Sequence, residues 1–142
     1  MGSTEHFQQT LTVSTGGRGL YEVTREVKQV VAEAGIGTGL CLVFCTHTSA
    51  SLLIQENADP SAARDLQAWL QQLAPDGDPR HTHTSEGPDD MPAHLRSAVT
   101  SSSESIPITG GRLALGTWQG IFLLEHRLGP HQRRLVVHVS GT

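Results

Sequence analysis

Apolar residues recur along this chain at two spacings, and the switches between them mark out the elements. From Gln8 to Val13 apolar and polar positions alternate, with Leu11 and Val13 on one side, which predicts a strand. A turn follows at Gly16-Gly17-Arg18-Gly19, which lacks the spacing of a phosphate-binding loop. Val23, Val27, Val30, Val31 and Ala34 then keep the 3.6-residue period of an amphipathic helix, with Thr24 as its cap and Gly35 closing it. Leu40 to Thr46 is apolar on both faces, as in a strand buried in a sheet, and His47 stands at its end. Leu52-Leu53-Ile54 offers a second extended segment. Asp59-Pro60 then supplies an acidic cap and a first-turn proline, opening a helix whose stripe is Leu66, Trp69, Leu70 and Leu73 and which ends near Pro75-Asp76-Gly77. That spacing puts Trp69 in the core.

A short helix from Pro92 to about Val99 opens with Asp89-Asp90-Met91-Pro92, and Ser101-Ser102-Ser103 is a turn. Strand patterns follow at Ser105–Thr109, Arg112–Leu115, Thr117–His126 and Arg133–Ser140, with turn signals at Gly110-Gly111 and Gly129-Pro130. Such a run predicts an antiparallel meander; with helices between the earlier strands, the class is α+β, an antiparallel sandwich with inserted helices. Within Thr117–His126, the set Trp118, Phe122, Leu124 and His126 makes the core face. Gln119, Ile121, Leu123 and Glu125 face the other way, against solvent, another sheet or a subunit, and Glu125 buried there needs a partner.

Composition narrows the function classes. The 142 residues suit a single domain, residues 1–142, and no apolar run approaches the length of a membrane span. A net charge of -4, no basic stripe and 4% aromatic residues argue against nucleic acid as a partner. The start of the chain lacks the basic and apolar regions of a secretion signal, so the expected location is cytoplasmic, with no membrane partner. Cys41 and Cys45 point to one face of their strand but lie about 13 Å apart, beyond disulfide reach, which makes them buried free thiols.

Candidate chemistry concentrates at His81-Thr82-His83-Thr84-Ser85-Glu86-Gly87-Pro88-Asp89-Asp90-Met91-Pro92-Ala93-His94, where imidazoles, carboxylates and turn residues gather and no core can form. The segment leads into a helix start, where backbone N–H groups favour anions. His94 lies about one turn inside that helix, and His81 and His83 share a face if their segment is extended. His6, His131 and His138 are surface or strand-face residues, and His126 is a satisfied core histidine. Ser49 and Ser51 beside His47 make no catalytic triad, lacking a nucleophile elbow, and Cys45 has no cation near it to activate a thiolate.

Four phrases taken together resemble the YjbQ-like family, an uncharacterised family often labelled secondary thiamine-phosphate synthase. They are His47-Thr48-Ser49-Ala50-Ser51, Glu56-Asn57-Ala58-Asp59-Pro60, the Glu86–His94 stretch, and Gly116-Thr117-Trp118-Gln119-Gly120-Ile121. The resemblance implies an α+β sandwich assembling as a homotrimer around a threefold axis, with clefts between subunits for a metal or anion. It implies His47, His83 and His94 as metal ligands, with Asn57, Asp59, Asp90 and Gln119 lining the pocket; Gln55 and Arg80-His81-Thr82 depart from the family pattern and leave His81 a rival to His83. Three neutral imidazoles suit a zinc-like divalent ion with an open position.

Two enzymatic readings follow, and a third without catalysis. In a thiamine-phosphate synthase-like transfer acting on phosphorylated small molecules, departing diphosphate is stabilised by the metal, the helix starts at Pro60 and Pro92, and Arg96, with Thr48 and Ser49 hydrogen-bonding the anion. Diphosphate chemistry prefers magnesium, for which Asp59, Asp89 and Asp90 are the oxygen ligands. In a metal-dependent hydrolase, Glu86 or Asp90 is the general base. The third reading is a non-catalytic trimer that binds a metal or anion.

Overall fold

The computed structural model describes residues 2–142. Within them the chain forms β1 (Glu5–Thr15), β2 (Gly19–Glu22), α1 (Thr24–Ala34), β3 (Gly39–Cys45), β4 (Ala50–Glu56), α2 (Pro60–Leu73), α3 (Asp90–Val99), β5 (Ser103–Thr109), β6 (Arg112–Leu113), β7 (Gln119–Glu125) and β8 (His131–Gly141). The strands make two antiparallel sheets, ordered β1-β8-β3-β5-β6 and β2-β7-β4. The α+β class and the sandwich are what form, but the meander is not. Of the last four strands only β5 and β6 pair as a hairpin; β7 crosses to the small sheet between β2 and β4, and β8 returns to lie between β1 and β3. Turn signals report how short a connection is, not which sheet the next strand joins.

Burial explains the crossing. The inner face of the large sheet (Cys41, Val43, Cys45, Ile106, Leu135, Val137, Val139) packs with Leu52, Ile121 and Leu123 of the small sheet and with Val27, Val30 and Val31 of α1. The opposite face of the small sheet carries Phe122 and Leu124, which pack with Leu70 of α2 and with Leu20, Leu53 and Leu66. β7 is therefore buried on both faces, and its Ile121 and Leu123 side belongs to the larger core, whereas the pattern had assigned the core to the Phe122 side. Full burial of Ile121 and Leu123 stabilises the fold by roughly 1.5–3 kcal/mol each. Both cysteines are free and buried, and desolvation raises the Cys41 thiol to about 11.

Helix ends follow the sequence in part. Gly35 closes α1 in the left-handed conformation, and the Asp59 carboxylate accepts the Ser61 N–H at 2.9 Å as the cap of α2. Val23, not Thr24, is the N-cap of α1; Thr24 lies in the first turn, donates to Glu22 Oε2 and accepts the Ile121 N–H, tying α1 to β7. Leu70 alone carries the fully buried stripe of α2, and Trp69, predicted as core, is 56% exposed. Positions 69 and 70 both fit a broad apolar stripe, and only the docking of α2 on Phe122 and Leu124 selects between them. Among the described residues no helix is long and apolar enough to cross a membrane.

Candidate metal centre

The first turn of α3 carries the cluster. Asp90 opens the helix and is 1% exposed, and one of its oxygens, Oδ2, lies 2.8 Å from His83 Nε2 and 3.1 Å from His94 Nε2. His94 meets Asp90 because residues four apart share a helix face. His83 arrives from the preceding loop, its ring centroid 5.3 Å from that of His94. Arg127, just past β7, holds the loop and helix together: its guanidinium donates to Asp89 Oδ2 at 2.9 Å, to Asp90 Oδ1 at 2.8 Å and to the Glu86 carbonyl at 2.8 Å. The Leu128 N–H also donates to Asp89 Oδ2. Asp89 thus occupies the N-cap position of α3 without making a side-chain cap bond. Neither acidic residue caps the helix, because both are engaged by the β7–β8 connection and the imidazoles.

Hydrogen bonding fixes one nitrogen of His94. Its Nδ1 lies 2.9 Å from the Thr48 carbonyl, which can only accept, so Nδ1 carries a proton. Its Nε2 faces Asp90 Oδ2 and can meet that oxygen through a ring proton or through a metal ion that both atoms ligate. Burial alone would raise the Asp90 pKa, but the His83 hydrogen bond and the nearby His94 and Arg127 charges outweigh it and hold the carboxyl below its usual range. Asp90 is an ionised donor for a cation and a weak base. The Nδ1–H of His94 is held by the Thr48 carbonyl, the kind of outer hydrogen bond that orients an imidazole able to ligate a metal.

The donor set fits a zinc-like ion. One ligand atom from each of His83, Asp90 and His94 lies within 4.8 Å of the others. Ligands bound at about 2.0–2.1 Å sit about 3–3.5 Å apart, so small adjustments of the rings would close the set. Two nitrogens and one oxygen are a poor match to magnesium. Beside the cluster opens a cleft of about 370 Å³, lined among others by Asp78, Pro79, His81, His83, Pro88 and Met91.

The other predicted residues are dispersed. His47 is not in the cluster: its Nε2 accepts the Arg134 N–H at 2.8 Å, which occupies the lone pair a metal would need. His81 also stands outside, its Nε2 3.9 Å from Asp78. Thr48 contributes its carbonyl, and Ser49 Oγ accepts from Arg133 at 3.0 Å. Arg96, expected to hold an anion, is 1% exposed and donates to the Leu70, Ala74 and His126 carbonyls and to Asp76, fastening α2 to α3. Glu86 is exposed, its carboxylate 4.0 Å from the Arg127 guanidinium, and does not line the cleft.

Asn57, Asp59 and Gln119 sit at the far end of the small sheet, the length of β4 away, roughly 20 Å. There Asn57 Nδ2 donates to Glu22, Gln119 Oε1 accepts the Gly116 N–H, and a Cβ on Gly120 would come within 2.7 Å of Glu22 Oε2. Asp59 serves as a cap. With Asp59 and Asp89 so engaged, the three aspartates do not assemble a magnesium site. Sequence reasoning missed Arg127 and the Thr48 carbonyl; a lone arginine between an apolar strand and a turn carries no local signal, and a carbonyl's direction is set by tertiary structure.

Two packed antiparallel sheets, with α1 against the inner face of the large one and α2 on the small one, and a cluster of His83, Asp90 and His94 whose ligand atoms lie close enough to share an ion, define an α+β protein with a candidate metal centre. The family model described as UPF0047 protein YjbQ-like matches residues 9–142, and the chain belongs to that family. It is 55% identical to a UPF0047 protein of Synechocystis over 134 residues, covering 94% of this chain and 91% of that one. It is 38% identical to the UPF0047 protein YjbQ of Escherichia coli O157:H7, covering 95% and 98%. Among solved structures, a YbjQ-like protein of unknown function from Sulfolobus solfataricus superposes with a TM-score of 0.91 at 26% identity, covering 99% of this chain and 100% of that one. A hypothetical protein from Aeropyrum pernix superposes with a TM-score of 0.88 at 31% identity, covering 96% and 99%.

Proposed function

We propose that this chain binds a zinc-like divalent ion through His83, Asp90 and His94 and uses it for metal-assisted hydrolysis of a small phosphorylated molecule seated in the adjoining cleft. The observation that carries the reading is the convergence of one ligand atom each from His83, Asp90 and His94 within 4.8 Å of one another, with the His94 ring oriented by the Thr48 carbonyl. When bound, such an ion supplies Lewis acidity at a phosphoryl oxygen and lowers the pKa of water. Asp90 and the imidazoles hold it, Arg127 keeps Asp90 ionised and in place, and exposed Glu86, 4.0 Å from Arg127, is the carboxylate to accept a proton. A thiamine-phosphate synthase-like transfer has less support, because Arg96 is enclosed and the Asp59-capped helix start lies at the other end of the small sheet.

Assembly as a homotrimer belongs to the same proposal, and Leu40 and Phe44, exposed on the outer face of β3, provide apolar surface for it. The test is elemental analysis and solution mass of protein purified without a metal-affinity tag, as wild type and His94→Ala. Zinc bound in the wild type and strongly depleted in the variant, with a trimeric mass in both, supports the reading. Equal zinc in both proteins would remove His94 as a ligand, and a monomeric mass would remove the trimer.

A further inference from the structure

A second pair of imidazoles meets far along the large sheet, and we infer that His6 and His138 chelate a borderline divalent cation such as Zn²⁺, Ni²⁺ or Cu²⁺, clamping the start of β1 to β8. In the antiparallel register His6 lies opposite Ser140 and Gln8 opposite His138, so His6, Gln8 and His138 share one face as direct and diagonal neighbours. His138 Nδ1 lies 2.8 Å from Gln8 Oε1, an acceptor, so Nδ1 carries the proton and Nε2 presents its lone pair. That lone pair is 3.4 Å from His6 Nδ1, with the ring centroids 5.5 Å apart.

A nitrogen–nitrogen separation of this size is long for a hydrogen bond, whose usual length is about 2.9–3.0 Å. It matches the roughly 3–3.5 Å between two nitrogens that each sit about 2.0–2.1 Å from one ion. Gln8 plays toward His138 the part the Thr48 carbonyl plays toward His94: it fixes the tautomer and aims the free nitrogen. Two neutral imidazoles with no carboxylate select borderline ions over magnesium or calcium. The exposed side of His6 leaves the remaining positions to water. This site does not depend on the cluster at Asp90.

The experiment is calorimetric titration of chelator-stripped, untagged protein with Zn²⁺ at neutral to mildly basic pH, as wild type, His6→Ala, His138→Ala, Gln8→Ala and His94→Ala. Wild type shows two classes of binding. His6→Ala and His138→Ala each lose the weaker class and retain the other, while Gln8→Ala weakens it about tenfold. His94→Ala keeps this class, so failure of the Asp90 centre and failure of this site are read separately. His6 lies near the end of an edge strand, so its variant remains informative if His138→Ala fails to fold. The inference is overturned if His6→Ala binds Zn²⁺ with the wild-type number of sites and affinities.

Discussion

Two buried carboxylates, Asp90 and Glu125, are both held by arginine, yet only one belongs to a candidate site. Glu125 is 0% exposed; its Oε1 accepts from Thr15 Oγ at 2.6 Å and Arg133 Nε at 2.7 Å, and its Oε2 accepts from the Arg127 N–H and from Arg133 Nη2. Every contact runs from a proton-bearing donor to an acceptor. Asp90 has the Arg127 guanidinium on Oδ1, but its Oδ2 faces two imidazole nitrogens, each of which can also ligate a metal ion. Burial and charge alone therefore do not mark a site; neighbours that can coordinate a metal ion do. Arg127 links the two regions, with its backbone serving Glu125 and its side chain serving Asp90.

The comparison breaks most visibly at Arg133. Arg133→Ala strands the Glu125 charge in the core and is expected to cost about 3–5 kcal/mol in chemical denaturation, while metal bound per folded chain stays unchanged. A wild-type denaturation midpoint would show that Glu125 is not the closed, structural member of the pair.

A pH series comes next. His126 is buried with its Nε2 hydrogen-bonded to Ser51 Oγ at 2.8 Å, and desolvation lowers its pKa from 6.5 to about 3. Below pH 6.5 the unfolded chain takes up a proton that the folded chain refuses. Stability is thus fully present above that pH and declines by about 3–5 kcal/mol toward pH 3. His126→Gln should flatten that slope. The lowered carboxyls of Asp89, Asp90 and Glu125 act in the same direction lower on the scale: their contribution is present above the ordinary values of 3.8 and 4.5 and is lost as pH falls through the depressed ones.

Asp90→Asn sharpens the contrast from the other side. It is expected to weaken Zn²⁺ binding at least about a hundredfold by calorimetry, while the metal-free protein loses only about 1–2 kcal/mol. A large loss of metal-free stability with affinity intact would make Asp90 a second Glu125. The smallest effect belongs to Asp59→Ala, which removes the α2 cap for about 1 kcal/mol by thermal denaturation and leaves Zn²⁺ affinity untouched. A change in metal binding there would mean that the far end of the small sheet takes part in the site.

Local chemistry made some of this legible in the chain itself. Gly35, the Asp59-Pro60 start and the valine spacing of α1 depend on residues a few positions apart, as does the meeting of Asp90 with His94 one turn on. The apolar run of β3 announced a strand, but its apolar composition on both faces did not mean burial on both: Cys41, Val43 and Cys45 are buried, while Leu40 and Phe44 face outward. Family phrases pointed to His83 and His94, but they also pointed to His47, whose lone pair is taken by Arg134.

Relations across long stretches of chain were decided by the tertiary structure alone. No pattern within β7 tells which of its two apolar faces meets the larger core. Nor does any reveal that Arg96 is consumed by the end of α2, that Trp69 turns outward, or that Arg127 reaches back across the chain to fix Asp89 and Asp90. The sequence by itself determined the elements, their class and the residues rich in coordinating atoms, because propensity and periodicity act within a few residues. Which of those atoms share a point in space was settled only by packing, since hydrogen bonds and charges are satisfied by whatever the fold brings near.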